Sequence, residues 1–103
     1  MQDVHLLSGR KVDAQRNRGR SSRYNDIDAG LLTKPVRCST ANVGWPDYEI
    51  RALACARIAG LDDDAIRELV DRLHSLRVAA TVLDDAAIRA LLNELHTRHK
   101  VAA

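Results

Sequence analysis

The sequence feature that most constrains the fold is an internal repeat. LDDDAIRELVDRLHSLR, from Leu61, aligns with LDDAAIRALLNELHTRH, from Leu83, and nine of the first fourteen positions are identical. A duplicated unit should fold as the same element twice. In each copy, apolar residues recur at three- and four-residue steps behind an aspartate, Asp62 or Asp84, that suits a helix N-cap. The copies predict two amphipathic helices, and the short link over 79–83 predicts an antiparallel hairpin.

The rest of the chain also favours helices, with one short β-ribbon. A chain of 103 residues supports one modest core, and with three aromatic residues and no Phe it must be built mainly from aliphatic side chains. Pro46 and the acids behind it predict a helix that ends at Gly60. Weaker patterns predict helices over 10–16 and 22–29, and two short strands joined by a polar turn over 35–45.

Basic residues are concentrated in the first half of the chain, although the net charge is only +2. Residues 1–45 contain eight Lys or Arg and four Asp or Glu, whereas residues 46–103 contain eight and ten. Between Arg10 and Arg23, six basic residues face a single acid, Asp13. This asymmetry predicts a polyanionic partner for the first half, and the alternative is a solvated basic tail.

Three ordered motifs follow one another in this basic half. GRSSRYNDIDAG, residues 19–30, is similar to a Ser-Arg-x-Thr-x-Tyr-x-x-Ile-x-x-Gly recognition segment. LLTKPVR, residues 31–37, parallels a Phe-Pro-Lys-Pro-Val signature, and VGWPDYEI, residues 43–50, parallels the Trp and helix start that follow it. On these motifs, residues 6–77 resemble the AlpA-type regulators of phages and integrative elements and the related small excisionases. Several motifs in order are more specific than any one of them.

The sequence also departs from this family. Gly19 replaces the usual capping Ser, and Thr33 replaces the first Pro of the Pro-Lys-Pro pattern. Arg18 and Arg23 stand where apolar residues are common. Asn17 occupies the turn position usually held by Gly, and Asn is the next-best residue for a left-handed backbone. These differences all bear on how the first two helices pack.

The resemblance implies a mainly α fold: a small winged helix-turn-helix with a short β-ribbon, followed by a C-terminal helical hairpin. The DNA-binding domain would span 1–60, and the hairpin, for packing or dimerisation, 61–103. The implied function is sequence-specific binding of double-stranded DNA by a transcriptional regulator of a prophage or integrative element, with an excisionase-type role as a variant.

The side-chain chemistry of the basic half agrees with this function, because Arg can read guanine, Asn can read adenine, and a helix N-terminus attracts phosphate. Tyr24, with Ile27 and Leu31, is also available for the core. The predicted DNA contacts on and beside the second helix are Arg18, Arg20, Ser21, Ser22, Arg23, Tyr24 and Asn25. Those in and around the ribbon are Lys34, Arg37, Ser39, Thr40 and Asn42.

Catalysis and metal binding are not indicated. The acids 62–64 begin a helix, and His96 and His99 lack a carboxylate or Cys at matching spacing. We therefore expect no enzyme, no cofactor, no metal and no small-molecule ligand. Cys38 and Cys55 lack CxxC spacing and are expected to be reduced thiols. Without an apolar run of about 18 residues, we expect no membrane span and a cytoplasmic protein.

Two further expectations concern packing and assembly. Trp45, where ribbon passes into helix, should be a core residue. The apolar stripes of the repeat helices exceed what one narrow hairpin seam would bury, which favours a homodimer; alternatively the surplus closes a monomeric core. These stripes contain Ile66, Leu69, Val70, Leu73, Ile88, Leu91, Leu92 and Leu95.

A different class of function is a protein-interaction adaptor, whose hairpin docks a partner while the basic segment stays disordered.

Overall fold

The computed structural model describes residues 5–79 and 82–99, which form five helices and three short strands. The strands are β1 (Leu6–Leu7), β2 (Val36–Arg37) and β3 (Val43–Pro46). The helices are α1 (Gly9–Arg16), α2 (Arg20–Asp28), α3 (Asp47–Ile58), α4 (Asp63–Val78) and α5 (Asp85–His99). The fold is mainly helical, as the sequence predicts. Within the two described ranges, no helix is both long enough and apolar enough to cross a membrane.

The strands form one antiparallel sheet in the order β1-β3-β2. The β2–β3 ribbon confirms the two strands predicted over 35–45, and Val36 pairs with Gly44. The strand β1, where Leu7 pairs with Trp45, was not predicted. Two residues are too short to show the alternation by which a strand is recognised. The extra strand fixes the chain ahead of α1 to the end of the ribbon.

The helices α1 and α2 are joined by a tight turn over 17–19. The side chain of Ser8 caps α1 by accepting a hydrogen bond from the Lys11 N–H at 3.3 Å. Asn17 ends the helix in the left-handed region with φ 56°, a conformation that Asn adopts more readily than most residues. Helix α2 begins at Arg20, two residues earlier than predicted, and Gly30, with φ 79°, follows its end.

A single buried cluster joins α1, α3, α4, α5 and the sheet, and Ile27 of α2 packs against it. Trp45 is 1% exposed, and its indole N–H donates a 2.8 Å hydrogen bond to the Thr33 carbonyl. The expectation that Trp45 is a core residue is therefore confirmed. The cluster runs through both halves of the chain, and α4 packs against α3 across residue 60. The predicted division into two domains at that residue stays a prediction.

Helices α4 and α5 lie antiparallel, as the repeat predicts. Ion pairs join Arg72 to Glu94 and Glu68 to Arg98, so the beginning of α4 lies beside the end of α5. The two predicted caps are present, since the carboxylates of residues 62 and 84 accept N–H hydrogen bonds at 2.9 and 2.8 Å. Residues 80 and 81 of the predicted link lie outside the described residues.

All eight residues of the apolar stripes are buried within the chain. Their burial agrees with the alternative in which the stripes close a core inside one molecule. The predicted homodimer thus loses the support of the apolar stripes and remains a prediction.

Candidate nucleic-acid interface

The exposed surface of α2 contains four of the predicted contact residues. Arg20, Ser21, Tyr24 and Asn25 are all exposed, and steps of one, three and four residues place them side by side on a helix. The Arg20 guanidinium lies 5.9 Å from the centre of the Tyr24 ring. We call these four residues the α2 face. Ser22, also in the predicted set, is half-buried.

The N-terminal end of α2 is a positive surface. Its first turn contains no acid, and its N-cap residue Gly19 offers no side-chain hydrogen bond. The positive end of the helix dipole is therefore not neutralised there. Arg18 lies immediately ahead of it with a side chain that is 49% exposed, although its Nε is 3.4 Å from the Asp26 carboxylate. Arg16 pairs more closely with the same carboxylate.

Arg23 is not on this surface, and the structure corrects its place in the predicted contact set. Its side chain is 8% exposed, and Nη1 lies 3.3 Å from the Asp13 carboxylate. The guanidinium lies 5.5 Å from the centre of the Trp45 ring, within the range of a cation–π interaction. Arg23 is thus buried at a position where the resembled family commonly has an apolar residue. Because it is buried, it is not available to DNA.

Tyr24 is the opposite case. The sequence made it available for the core, but the ring is 50% exposed on the α2 face. The exposed ring therefore does not support the alternative in which Tyr24 is a core residue, and its contact with DNA stays a prediction. Burial of Arg23 and exposure of Tyr24 have one cause, because neighbouring residues of a helix point about 100° apart.

Gly9 leaves the space that the Arg23 guanidinium occupies. A Cβ at this position would lie 1.8 Å from Arg23 Nη1. This cluster was not predicted from the sequence. Two features of the sequence could have indicated this cluster. Asp13 is the single acid among six basic residues, and Arg23 stands at a position that is commonly apolar in the resembled family.

The second group of predicted contacts lies in the turn of the ribbon. Arg37, Ser39, Thr40 and Asn42 are all exposed. The backbone of the turn is fixed, because the N–H groups of Cys38 and Ser39 both donate to the Asn42 carbonyl, at 2.9 and 3.2 Å. The Arg37 guanidinium donates to the Thr40 carbonyl at 3.3 Å, which holds it over the turn. We call Arg37, Ser39, Thr40 and Asn42 the ribbon turn.

Lys34 lies between these groups in sequence, and its side chain is exposed, whereas its backbone N–H and carbonyl are both hydrogen-bonded. Its N–H donates to Nε2 of His74 at 3.0 Å, and its carbonyl accepts from Arg77 at 2.7 Å. Burial lowers the pKa of His74, and the neighbouring Arg77 lowers it further, which favours the neutral ring that can accept this hydrogen bond. Bonds between residues so distant in sequence leave no periodic pattern, so neither hydrogen bond to Lys34 was predicted from the sequence.

Ion pairing distinguishes the cations of the two halves. Six of the seven arginines in residues 51–98 pair with an acid of the same chain, and only Arg89 does not pair with a described acid. In the first half, several exposed cations have no described carboxylate at ion-pair distance. These are Arg10, Lys11, Arg20, Lys34 and Arg37. The described acids therefore leave the excess positive charge of this half unneutralised.

The chain matches no known family, no curated protein and no solved structure.

Proposed function

We propose that this chain is a sequence-specific DNA-binding transcriptional regulator of the AlpA type, from a prophage or integrative element. In this proposal α1, α2 and the β2–β3 ribbon act as a winged helix-turn-helix. The observation that carries it is the distribution of ion pairs, because Arg20 of the α2 face, Arg37 of the ribbon turn and Lys34, which lies between them in sequence, lack acid partners among the described residues. Duplex DNA offers phosphates and base edges to such a surface.

Each cluster has a distinct role in this proposal. The α2 face enters the major groove, where Arg20 donates two hydrogen bonds to guanine and Asn25 pairs with adenine. Ser21 and the uncapped N-terminus of α2 lie against a phosphate. The ribbon turn contacts the backbone or the neighbouring groove through Arg37 and its polar neighbours. Arg23 acts only from the interior, by fixing α2 to α1.

The test is binding to duplex DNA, measured by fluorescence anisotropy over a salt series after enrichment of a preferred sequence from random duplexes. Arg20→Ala and Asn25→Ala should each weaken specific binding by about 1–3 kcal/mol. Arg89→Ala is the matched control, because Arg89 is also exposed and without a described acid partner but lies on α5. Absence of binding at low salt, or an equal loss in the Arg89 variant, would contradict the proposal.

An excisionase-type role in directing recombination is a narrower form of the same proposal. A footprint on the DNA that flanks the gene separates the two forms. Protection at a promoter supports a regulator, and protection within an attachment site supports a role in excision.

The adaptor hypothesis has less support. It requires the basic segment to be disordered, whereas residues 9–28 contain α1 and α2. Val12 anchors α1 with no exposed surface, and the buried Arg23 ties α2 to the same core. A chain that captures a protein partner but shows no salt-sensitive DNA complex would favour the adaptor.

A further inference from the structure

Three side chains of α4 bind the backbone of the connection between α2 and β2. The Nε of Arg67 donates to the Ala29 carbonyl at 2.9 Å. Nε2 of His74 accepts from the Lys34 N–H at 3.0 Å, and Arg77 donates to the Lys34 carbonyl at 2.7 Å. Steps of seven and three residues place these side chains on one face of α4. We call Arg67, His74 and Arg77 the α4 clasp.

The clasp occupies both polar backbone groups of Lys34. Arg77 is itself held, because its Nε and Nη2 lie 2.8 and 2.6 Å from the two carboxylate oxygens of the fully buried Glu49. On the other side, the Thr33 carbonyl accepts the indole N–H of Trp45. The backbone of Lys34 is therefore fixed by the core, and its ammonium group extends from a defined point on the surface.

The second copy of the repeat shows that these bonds are not a general property of the motif. The residues that correspond to the clasp are Arg89, His96 and His99. Arg89 and His96 are exposed, and His99 pairs with Glu68 at 3.0 Å. Two copies that share an Ala-Ile-Arg triplet and a histidine thus use them differently. The clasp belongs to the first copy alone, which lies beside the basic half.

We propose that the α4 clasp positions the Lys34 ammonium against a DNA phosphate, so that His74 acts on the DNA interface without touching DNA. This inference rests on the proposed DNA-binding function. A lysine on a mobile backbone loses backbone and side-chain conformational entropy when it binds a phosphate. When the backbone is already fixed in the free protein, binding costs only the side-chain entropy. His74 and Arg77 are positioning residues, and Lys34 makes the contact.

The experiment measures how steeply the affinity for a short, labelled duplex of mixed sequence falls from about 50 to 200 mM salt, since each phosphate contact contributes about 0.9 to the slope. Lys34→Ala should reduce the magnitude of this slope by about 0.9, the contribution of one phosphate contact. His74→Leu, which removes the acceptor for the Lys34 N–H, should lower it by the same amount. The double variant should equal Lys34→Ala alone. His74→Gln, which places an amide where Nε2 lies, should restore the slope.

His96→Leu is the matched control, because it alters the corresponding histidine of the second copy at an exposed site. It should keep the wild-type slope. A folded His74→Leu chain with the wild-type slope, or a slope for the double variant below that of Lys34→Ala, overturns the inference while the proposed function stands. A wild-type chain that does not bind DNA removes both.

Two further measurements cover the case in which His74→Leu does not fold. Arg67→Met breaks the bond to the Ala29 carbonyl at a half-exposed site and should weaken binding roughly two- to thirtyfold, whereas Arg89→Met should not. Equal affinities for these two variants count against the clasp. Hydrogen exchange tests the geometry directly: the Lys34 amide of the wild-type chain should be protected, and rapid exchange there would overturn the inference.

Discussion

At the scale of single residues, Arg23 and Asp13 form an ion pair in the interior of the basic half. Arg23→Leu would leave the Asp13 carboxylate, which is 18% exposed, without its partner. Removal of one member of such a pair destabilises a fold by about 3–5 kcal/mol, because the remaining charge stays poorly solvated. We expect a loss of this size in the free energy of unfolding, measured by urea denaturation.

A second variant distinguishes the ion pair from simple loss of packing. When both members are replaced, as in Asp13→Leu combined with Arg23→Leu, much of the lost stability should return. The salt slope of DNA binding should be unchanged in the double variant, since Arg23 is not on the α2 face. A double variant as unstable as Arg23→Leu would show that the aromatic rings beside the guanidinium, Tyr24 at 5.2 Å and Trp45 at 5.5 Å, matter more than Asp13.

The sequence did not predict which residues of α2 are exposed and which are buried, and the reason is physical. The side of a helix that packs against the core is predicted from its apolar residues, and α2 contains only Tyr24 and Ile27 of this kind. Without a stripe, nothing in the sequence indicated that Arg23 faces Trp45 while Tyr24 faces outward. The ribbon turn was easier to predict, because its polar residues lie between two short apolar runs.

At the scale of elements, the contact between α4 and the α2–β2 connection should make stability depend on pH. The pKa of His74 is lowered in the folded chain from an ordinary value of 6.5. Burial and the charges of Arg77 and Lys34 lower it, against opposing effects from Glu49 and Asp71. The proton therefore binds better to the unfolded chain, so stability is fully present above about pH 6.5 and is lost as the pH falls through the folded-state pKa.

His74→Gln should remove this part of the pH dependence. The urea midpoint of the wild-type chain should fall further between pH 7.5 and pH 5.5 than that of the variant. His96→Gln, in the second copy, should retain the wild-type behaviour. Parallel profiles for the wild-type and His74→Gln chains would mean that the ring is not held as an acceptor.

The order of the helices followed from local chemistry that the sequence displays. Repeated apolar steps, the two aspartate caps and Gly60 predicted α3, α4 and α5, and the structure confirms them. What the sequence could not predict are bonds between distant positions, such as the one from His74 to Lys34. These depend on how elements meet, and the repeat made His74 and His96 look equivalent.

At the scale of the whole molecule, the apolar stripes of α4 and α5 are closed inside one chain. Leu91→Glu should therefore destabilise the fold severely, because it buries an unpaired charge. Circular dichroism and sedimentation at micromolar concentration provide the check. A folded monomeric variant from a dimeric parent would instead show that the stripes form an interface. Exposed apolar residues that another interface could use include Ile58, which is 85% exposed, and Val78, which is 92% exposed.

The pairing of β1 with β3 also has a consequence for the order of events during synthesis. It brings Leu6 and Leu7 to the strand of Trp45, so α1 and α2 lie in a long loop that only β3 closes. Contacts between distant positions form slowly, whereas a helical hairpin can form from neighbouring residues. A nascent chain that ends before Val43 contains the sequences of both basic helices but lacks the tryptophan and the strand that hold them together. Competence for the proposed DNA binding should arise late, after β3 and then α4 have left the ribosome.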